Sequence, residues 1–138
     1  MSRLQETLKE QIKRHEGFRR KAYKDSVGIW TIGYGRNMQS MYITRKVAED
    51  WLSEDISNAE YVLLSTFPYV ASMTQRRRDV LVNMTFNLGI EGISRFKKMW
   101  KALDDSDYER AADEMIDSKW YNQVGKRAQE LEQQMRRG

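Results

Sequence analysis

Residues His15–Gly35 read HEGFRRKAYKDSVGIWTIGYG, with one Glu, one Asp and one Thr set among basic, aromatic and glycine residues. From Phe18 to Gly35 aromatic and β-branched residues recur at short spacing. DSVG (Asp25–Gly28) interrupts them, and the pattern predicts a small hairpin or short meander. No other part of the chain is β-rich. The rest carries helical periodicity, so this stretch decides the fold class as α+β, mainly helical, with a small N-terminal β-hairpin lobe and a helical C-terminal lobe.

Upstream, Leu4, Leu8 and Ile12 recur at i, i+4, i+8 and predict a helix from Ser2 to His15 with a narrow apolar stripe, ended by Gly17. Downstream, after a polar loop RNMQS (Arg36–Ser40), Thr44 is placed to cap a long helix. Its Val47, Trp51, Ile56, Ala59, Val62 and Leu63 lie near one face, and it runs to about Ser65 before Pro68 closes it. Thr74 begins a helix whose Val80, Leu81, Met84 and Leu88 are spaced for burial, with Gly89 as its stop; it is expected to form the axis of the core. Ile93, Phe96, Trp100 and Leu103 mark a further helix. Ala111, Ala112, Met115, Ile116 and Trp120 mark another after the turn DDSD, and Arg127, Ala128, Leu131 and Met135 mark a last amphipathic one. With no internal repeat or linker, residues 1–138 read as a single domain, its β-containing lobe about 13–65 and its helical lobe about 66–138 together with the N-terminal helix.

Composition narrows the chemistry. The chain has no cysteine and a single histidine, His15, which removes disulfides and thiolate nucleophiles and makes a zinc site improbable; no metal and no cofactor are expected. Catalysis must then rest on carboxylates and hydroxyls. No apolar run approaches the roughly 20 residues that span a bilayer, and the N-terminal MSRLQETLKEQIKR lacks the apolar core of a signal peptide, so neither membrane insertion nor export is expected. A net charge of +4 favours encounter with a polyanion, for which nucleic acid and bacterial wall polymers both qualify. The densest basic runs, QRRR (Gln75–Arg78) and RFKK (Arg95–Lys98), read as solvated helix faces and not as a nucleic-acid site.

Glu16 falls at the C-terminal end of the first helix, where unpaired carbonyls disfavour a second negative charge. Partial burial against Phe18 would act the same way, and a carboxyl that keeps its proton is a general acid. Asp25 sits in the hairpin turn, where a carboxylate stays hydrated, and Thr31 follows on the returning strand. Alternation puts Ile29, Thr31 and Gly33 on one face and Trp30, Ile32 and Tyr34 on the other, so the hydroxyl is expected to face a cleft while the large apolar groups pack behind it. Two carboxyls in unlike surroundings suit glycoside hydrolysis. Each of the three is also ordinary at its place, and spacing alone leaves both readings open.

The order E-x8-D-x5-T running into TIGYG is similar to the catalytic signature of phage-type lysozymes, the endolysins of glycoside hydrolase family 24, which include the T-even phage lysozymes. NMTFNLG (Asn83–Gly89) and SKWYNQ followed by KRA (Ser118–Ala128) resemble that family's helical-lobe motifs, so the resemblance covers nearly the whole chain. It implies a lysozyme-like fold whose lobes flank a cleft. It also implies an inverting hydrolase of the β-1,4 bond between N-acetylmuramic acid and N-acetylglucosamine, with Glu16 as acid, Asp25 as the carboxylate that activates water and Thr31 as its partner. Phe86 and Asn87 stand where the family has a cleft-lining aromatic and amide, and Tyr34 and Asn37 are expected to join them in holding substrate. Arg127 is expected to reach Glu16, and Trp120 to support the cleft wall, though core packing is an equal reading for that residue. The family usually follows GYG with histidine; here Arg36 and Asn37 follow, and the loop from Arg36 to Ile43 is shorter than in the T-even phage lysozymes. As partners the resemblance implies peptidoglycan and a holin, for a monomer that waits in the host cytoplasm. A lytic transglycosylase and a noncatalytic wall-binding protein are the competing readings.

Overall fold

The computed structural model describes residues 6–138, which form two compact units, one running to Val47 and the other from Ala48 to Gly138. The first unit opens with α1 (Leu8–Glu16). Thr7 Oγ1 accepts the Glu10 N–H at 3.1 Å, and the Glu10 carboxylate accepts the Thr7 N–H at 3.1 Å. This reciprocal cap fixes the helix start at Leu8, later than the sequence pattern predicts, since Glu6 and Thr7 are not helical. Residues 2–5 of the expected helix lie outside the described residues.

After Gly17 the chain builds an antiparallel sheet in the order β1-β2-β3, from β1 (Arg19–Lys24), β2 (Trp30–Gly33) and β3 (Arg36–Asn37). Tyr23 pairs with Thr31 and Lys24 with Trp30, while an irregularity between Arg19 and Tyr23 bends β1. Arg36 and Asn37, expected in a loop, instead pair with Ile32 and Thr31, and the Met38 N–H reaches the Trp30 carbonyl at 2.8 Å. The two-residue turn Tyr34–Gly35 makes this return possible, because Gly35 takes a φ of 79° that a side chain disfavours.

α2 (Arg45–Thr66) begins where expected, with Thr44 Oγ1 accepting the Val47 N–H at 3.2 Å. Its apolar stripe is not a core face along its length: Leu63 is buried, but Trp51, Ile56 and Val62 are exposed. A 3-10 turn (Pro68–Ser72) leads to α3 (Gln75–Ser94), capped by Thr74. Gly89, expected to stop this helix, breaks it instead (φ 74°, ψ 164°), and helical structure resumes to Ser94. Ile93 therefore belongs to α3, and α4 (Lys97–Asp104) starts after Phe96. The pattern read as one helix from Ala111 to Trp120 is two, α5 (Tyr108–Ile116) and α6 (Lys119–Val124), since Ser118 caps a new start with its hydroxyl on the Tyr121 N–H. α7 (Lys126–Arg137) completes the chain.

The core lies in the second unit, where α3 supplies Val80, Leu81 and Met84 as the sequence spacing predicts, together with Ile93, while Leu88 is only partly buried. Methionine is prominent in it: Met73, Met84, Met99, Met115 and Met135 are all buried. Each such side chain contributes about 1.5–3 kcal/mol by leaving water. Phe67 stacks on Trp100 at 3.6 Å between centroids, and Trp100 Nε1 donates to the Ile93 carbonyl at 2.9 Å. Polar clasps close the bundle. Arg77 donates to the carbonyls of Met135 and Arg136 at 2.8 and 3.2 Å, with its guanidinium 3.8 Å from the Tyr108 ring centroid. Arg136 pairs with Glu109, Asp113 and Glu132 at 2.6, 3.0 and 2.6 Å. The QRRR run is thus partly internal structure and not simply a solvated face.

Candidate active site

Asp25 opens the β1–β2 turn, and one of its carboxylate oxygens is fully committed: Oδ1 accepts the N–H groups of Val27 and Ile29 at 3.0 and 2.9 Å. This is an Asx turn, closed further by the Gly28 N–H on the Asp25 carbonyl at 3.0 Å. Among the described residues Oδ2 has no hydrogen-bond partner, so it is the oxygen available to a ligand. The carbonyl of Ile29 accepts both the Asp25 N–H at 2.9 Å and the Thr31 hydroxyl at 3.0 Å. A single residue, Ile29, therefore ties Asp25 and Thr31 together through its main chain. Because Thr31 donates its only proton to that carbonyl, the lone pairs of Oγ1 are left to accept.

Thr31 is 5% exposed, whereas Trp30 and Tyr34 are about half exposed at 46% and 44%. The expectation that the large apolar groups pack behind the sheet is therefore corrected. The small unit has too little material to cover them, and cations do so instead, with Lys24 Nζ 5.4 Å from the Trp30 ring centroid and Lys13 Nζ 5.5 Å from that of Tyr34.

Glu16 is the last residue of α1, as expected, but it is exposed, and Phe18 turns to Tyr34 at 5.4 Å between centroids without burying it. Its carboxylate lies against the tight turn after β2. A Cβ added to Gly35 would stand 2.9 Å from Glu16 Oε2 and 3.2 Å from Cδ. Asp25 and Glu16 are thus held at opposite ends of β2, one by the turn that enters it and one by the turn that leaves it. Asn37 Oδ1 accepts the Gln39 N–H at 2.8 Å, so its side chain also shapes the β3 exit.

In the second unit Phe86 is 44% exposed, and Asn87 Oδ1 accepts the Trp120 indole N–H at 2.8 Å. Trp120 is buried, packs edge-on against Phe96 at 6.0 Å, and lines a cleft of about 620 Å³ together with Leu88, Met99, Glu114 and Ser118. It serves the core and a wall at once. Arg127 donates to Asn83 Oδ1 through Nε at 3.1 Å and Nη2 at 2.6 Å. Three contributors were missed from sequence: the Ile29 main chain, the close approach of Gly35, and Asn83. Gly35 and Asn83 both lie inside motifs that drew attention, TIGYG and NMTFNLG, but nothing in the motifs assigns those roles.

Residues 13–138 match the family described as phage lysozyme. An endolysin of Acyrthosiphon pisum secondary endosymbiont phage 1 is 35% identical over 112 residues, 79% of this chain and 73% of the relative. The endolysin of Salmonella phage P22 is 31% identical over 113 residues, 76% and 75% of the two chains. A probable T4-type lysozyme of Dictyostelium discoideum is 24% identical over 152 residues, 88% and 89%. A mainly helical α+β chain with these relatives falls in the class of lysozyme-type glycoside hydrolases, with a lytic function. It belongs to the phage lysozyme family.

Proposed function

We propose that the protein hydrolyses the β-1,4 bond between N-acetylmuramic acid and N-acetylglucosamine in bacterial peptidoglycan, with inversion, and that it serves lysis of a phage-infected host. The observation that carries this reading is the Ile29 bridge. With Asp25 Oδ1 held by two N–H groups and the Thr31 proton spent on Ile29, a water donating one hydrogen to Asp25 Oδ2 and the other to Thr31 Oγ1 has a lone pair free to attack. Asp25 then takes the water's proton as the new C–O bond forms. Glu16 delivers its proton to the departing sugar oxygen, so charge and atoms balance without an enzyme-bound intermediate. Attachment of the two acids at opposite ends of β2 supports the wider spacing of inverting enzymes, roughly 6.5–9.5 Å, over the roughly 5 Å of retaining ones.

The same bridge speaks against a lytic transglycosylase, which needs no held water, and the intact triplet speaks against a purely wall-binding role. Substrate contacts from Phe86, Asn87, Tyr34 and Asn37, a waiting state in the host cytoplasm and release through a holin belong to this proposal. Release of muropeptides from purified peptidoglycan, with product ends identified by mass, tests it. Wild type should yield reducing ends, and Glu16→Gln should lose at least about 10²-fold in rate. Anhydro-sugar ends, or full activity in the variant, would overturn it.

A further inference from the structure

Charge is divided unevenly between the two units. The first, through Val47, holds eleven lysines and arginines against four acidic residues, while the second holds thirteen against sixteen. A basic excess thus sits on the small unit that carries Glu16, Asp25 and Thr31. It is also unneutralised: among the described residues, Arg19, Arg20, Lys21, Lys24 and Arg36 pair with no carboxylate, and all five are exposed. In the second unit Arg136 pairs with three carboxylates and Arg77 and Arg127 make internal hydrogen bonds, while Arg95, Lys97, Lys98 and Lys101 are exposed; what sets the first unit apart is its net basic excess against the second unit's acidic one.

Four of these cations lie on β1, an edge strand paired with β2 alone. Two are held on aromatic rings, Arg19 at 5.1 Å from the Tyr23 centroid and Lys24 at 5.4 Å from that of Trp30. Cross-strand partners share a face, so Tyr23, with Arg19 over it, stands beside Thr31, and Lys24 immediately precedes Asp25. Charges on an edge strand also guard against edge-to-edge association. That duty does not require cations of one sign placed over rings next to the reaction centre.

We propose that β1, through Arg19, Arg20, Lys21 and Lys24, is a docking surface for the carboxylates of peptide stems on the glycan strand being cut. This rests on the reading of the protein as a peptidoglycan hydrolase. Stem carboxylates are the anions a substrate carries closest to the bond held at Asp25 and Thr31. A lipid surface would call for apolar side chains interleaved with the cations, and β1 offers only Ala22 besides Tyr23.

The test is pelleting of full-length Glu16→Gln protein, which leaves its substrate uncut, with peptidoglycan stripped of secondary polymers. It is done with native wall and with wall whose carboxyls have been amidated. Arg19→Gln/Arg20→Gln/Lys21→Gln should raise the apparent Kd about tenfold on native wall. Amidation should produce the same loss, and the triple change should add nothing on amidated wall. Arg19→Lys/Arg20→Lys, which keeps the charge, should bind as its parent does. Equal Kd for the glutamine triple and its parent, an undiminished effect on amidated wall, or a loss seen only on walls that retain phosphate polymers would overturn the proposal. So would self-association of the glutamine triple without weaker wall binding, which would assign the charges to edge protection. Failure of the wild type to release reducing ends from the same wall would instead refute the hydrolase reading, leaving the binding result to stand alone.

Discussion

At the scale of single residues, the most exacting demand falls on Gly35. Its φ of 79° and the 2.9 Å approach of its would-be Cβ to Glu16 Oε2 leave no room for alanine unless the acid moves. A displacement of about 1 Å at a reacting group costs on the order of 10²-fold in rate. Gly35→Ala should therefore lose about that much kcat in muropeptide release, while its thermal melting shows a strain of about 1–3 kcal/mol. Thr31 makes a complementary prediction. If its oxygen accepts from water, Thr31→Ser should keep most activity and Thr31→Val should lose several orders of magnitude in kcat, a comparison that separates the hydroxyl from mere bulk. Glu16, Asp25 and Thr31 were singled out in the chain by their resemblance to a family signature, since residue type and spacing alone left both readings open. The Ile29 bridge was not, since every residue carries the same amide and only a fold decides which one is used. Nor was the Arg127–Asn83 contact, whose partners lie 44 positions apart.

Among elements, α1 shows what a short helix needs when packing does not hold it. It buries no side chain, so its start depends on the Thr7 and Glu10 cap more than a core helix would. Thr7→Ala should cost about 1 kcal/mol, read as faster amide exchange across Leu8–Glu16 with the second unit unaffected. Helix existence and the β-rich insert were legible because periodicities of 3.6 and 2 differ over even short windows. Boundaries were less so. The sequence pattern places a stop at Gly89, where the chain makes a local break, and a continuous helix across Ser118, where a hydroxyl cap restarts one. In both cases the apolar stripe runs on while the backbone does not, so hydrophobic spacing is blind to the change. The exposed stripe of α2 is the opposite case, in which spacing marks a face that its own unit covers only at Leu63.

For the molecule as a whole, electrostatics sets the conditions of work. Raising ionic strength from about 0.01 to 0.15 M shortens the screening length from about 30 to 8 Å, so wall clearance, measured by turbidity, should slow several-fold. At the alkaline end, burial first and the nearby Asp104 carboxylate second push the Tyr69 phenol above its ordinary value of 10.0. The unfolded chain therefore sheds that proton at a lower pH than the folded one, which favours unfolding as pH rises through 10 and has no effect well below it. Melting temperature should decline there, and Tyr69→Phe should lessen the decline. The methionine-rich core has a consequence of a different kind. In a chain without cysteine, thioethers are the readily oxidised sulfurs, and five of them lie at 0–8% exposure while Met38 and Met41 are partly accessible. Among the described methionines, peroxide should convert Met38 and Met41 to sulfoxide first, and the later appearance of sulfoxide at Met84 or Met115 would time the opening of the bundle, a chemical clock built into the helical unit.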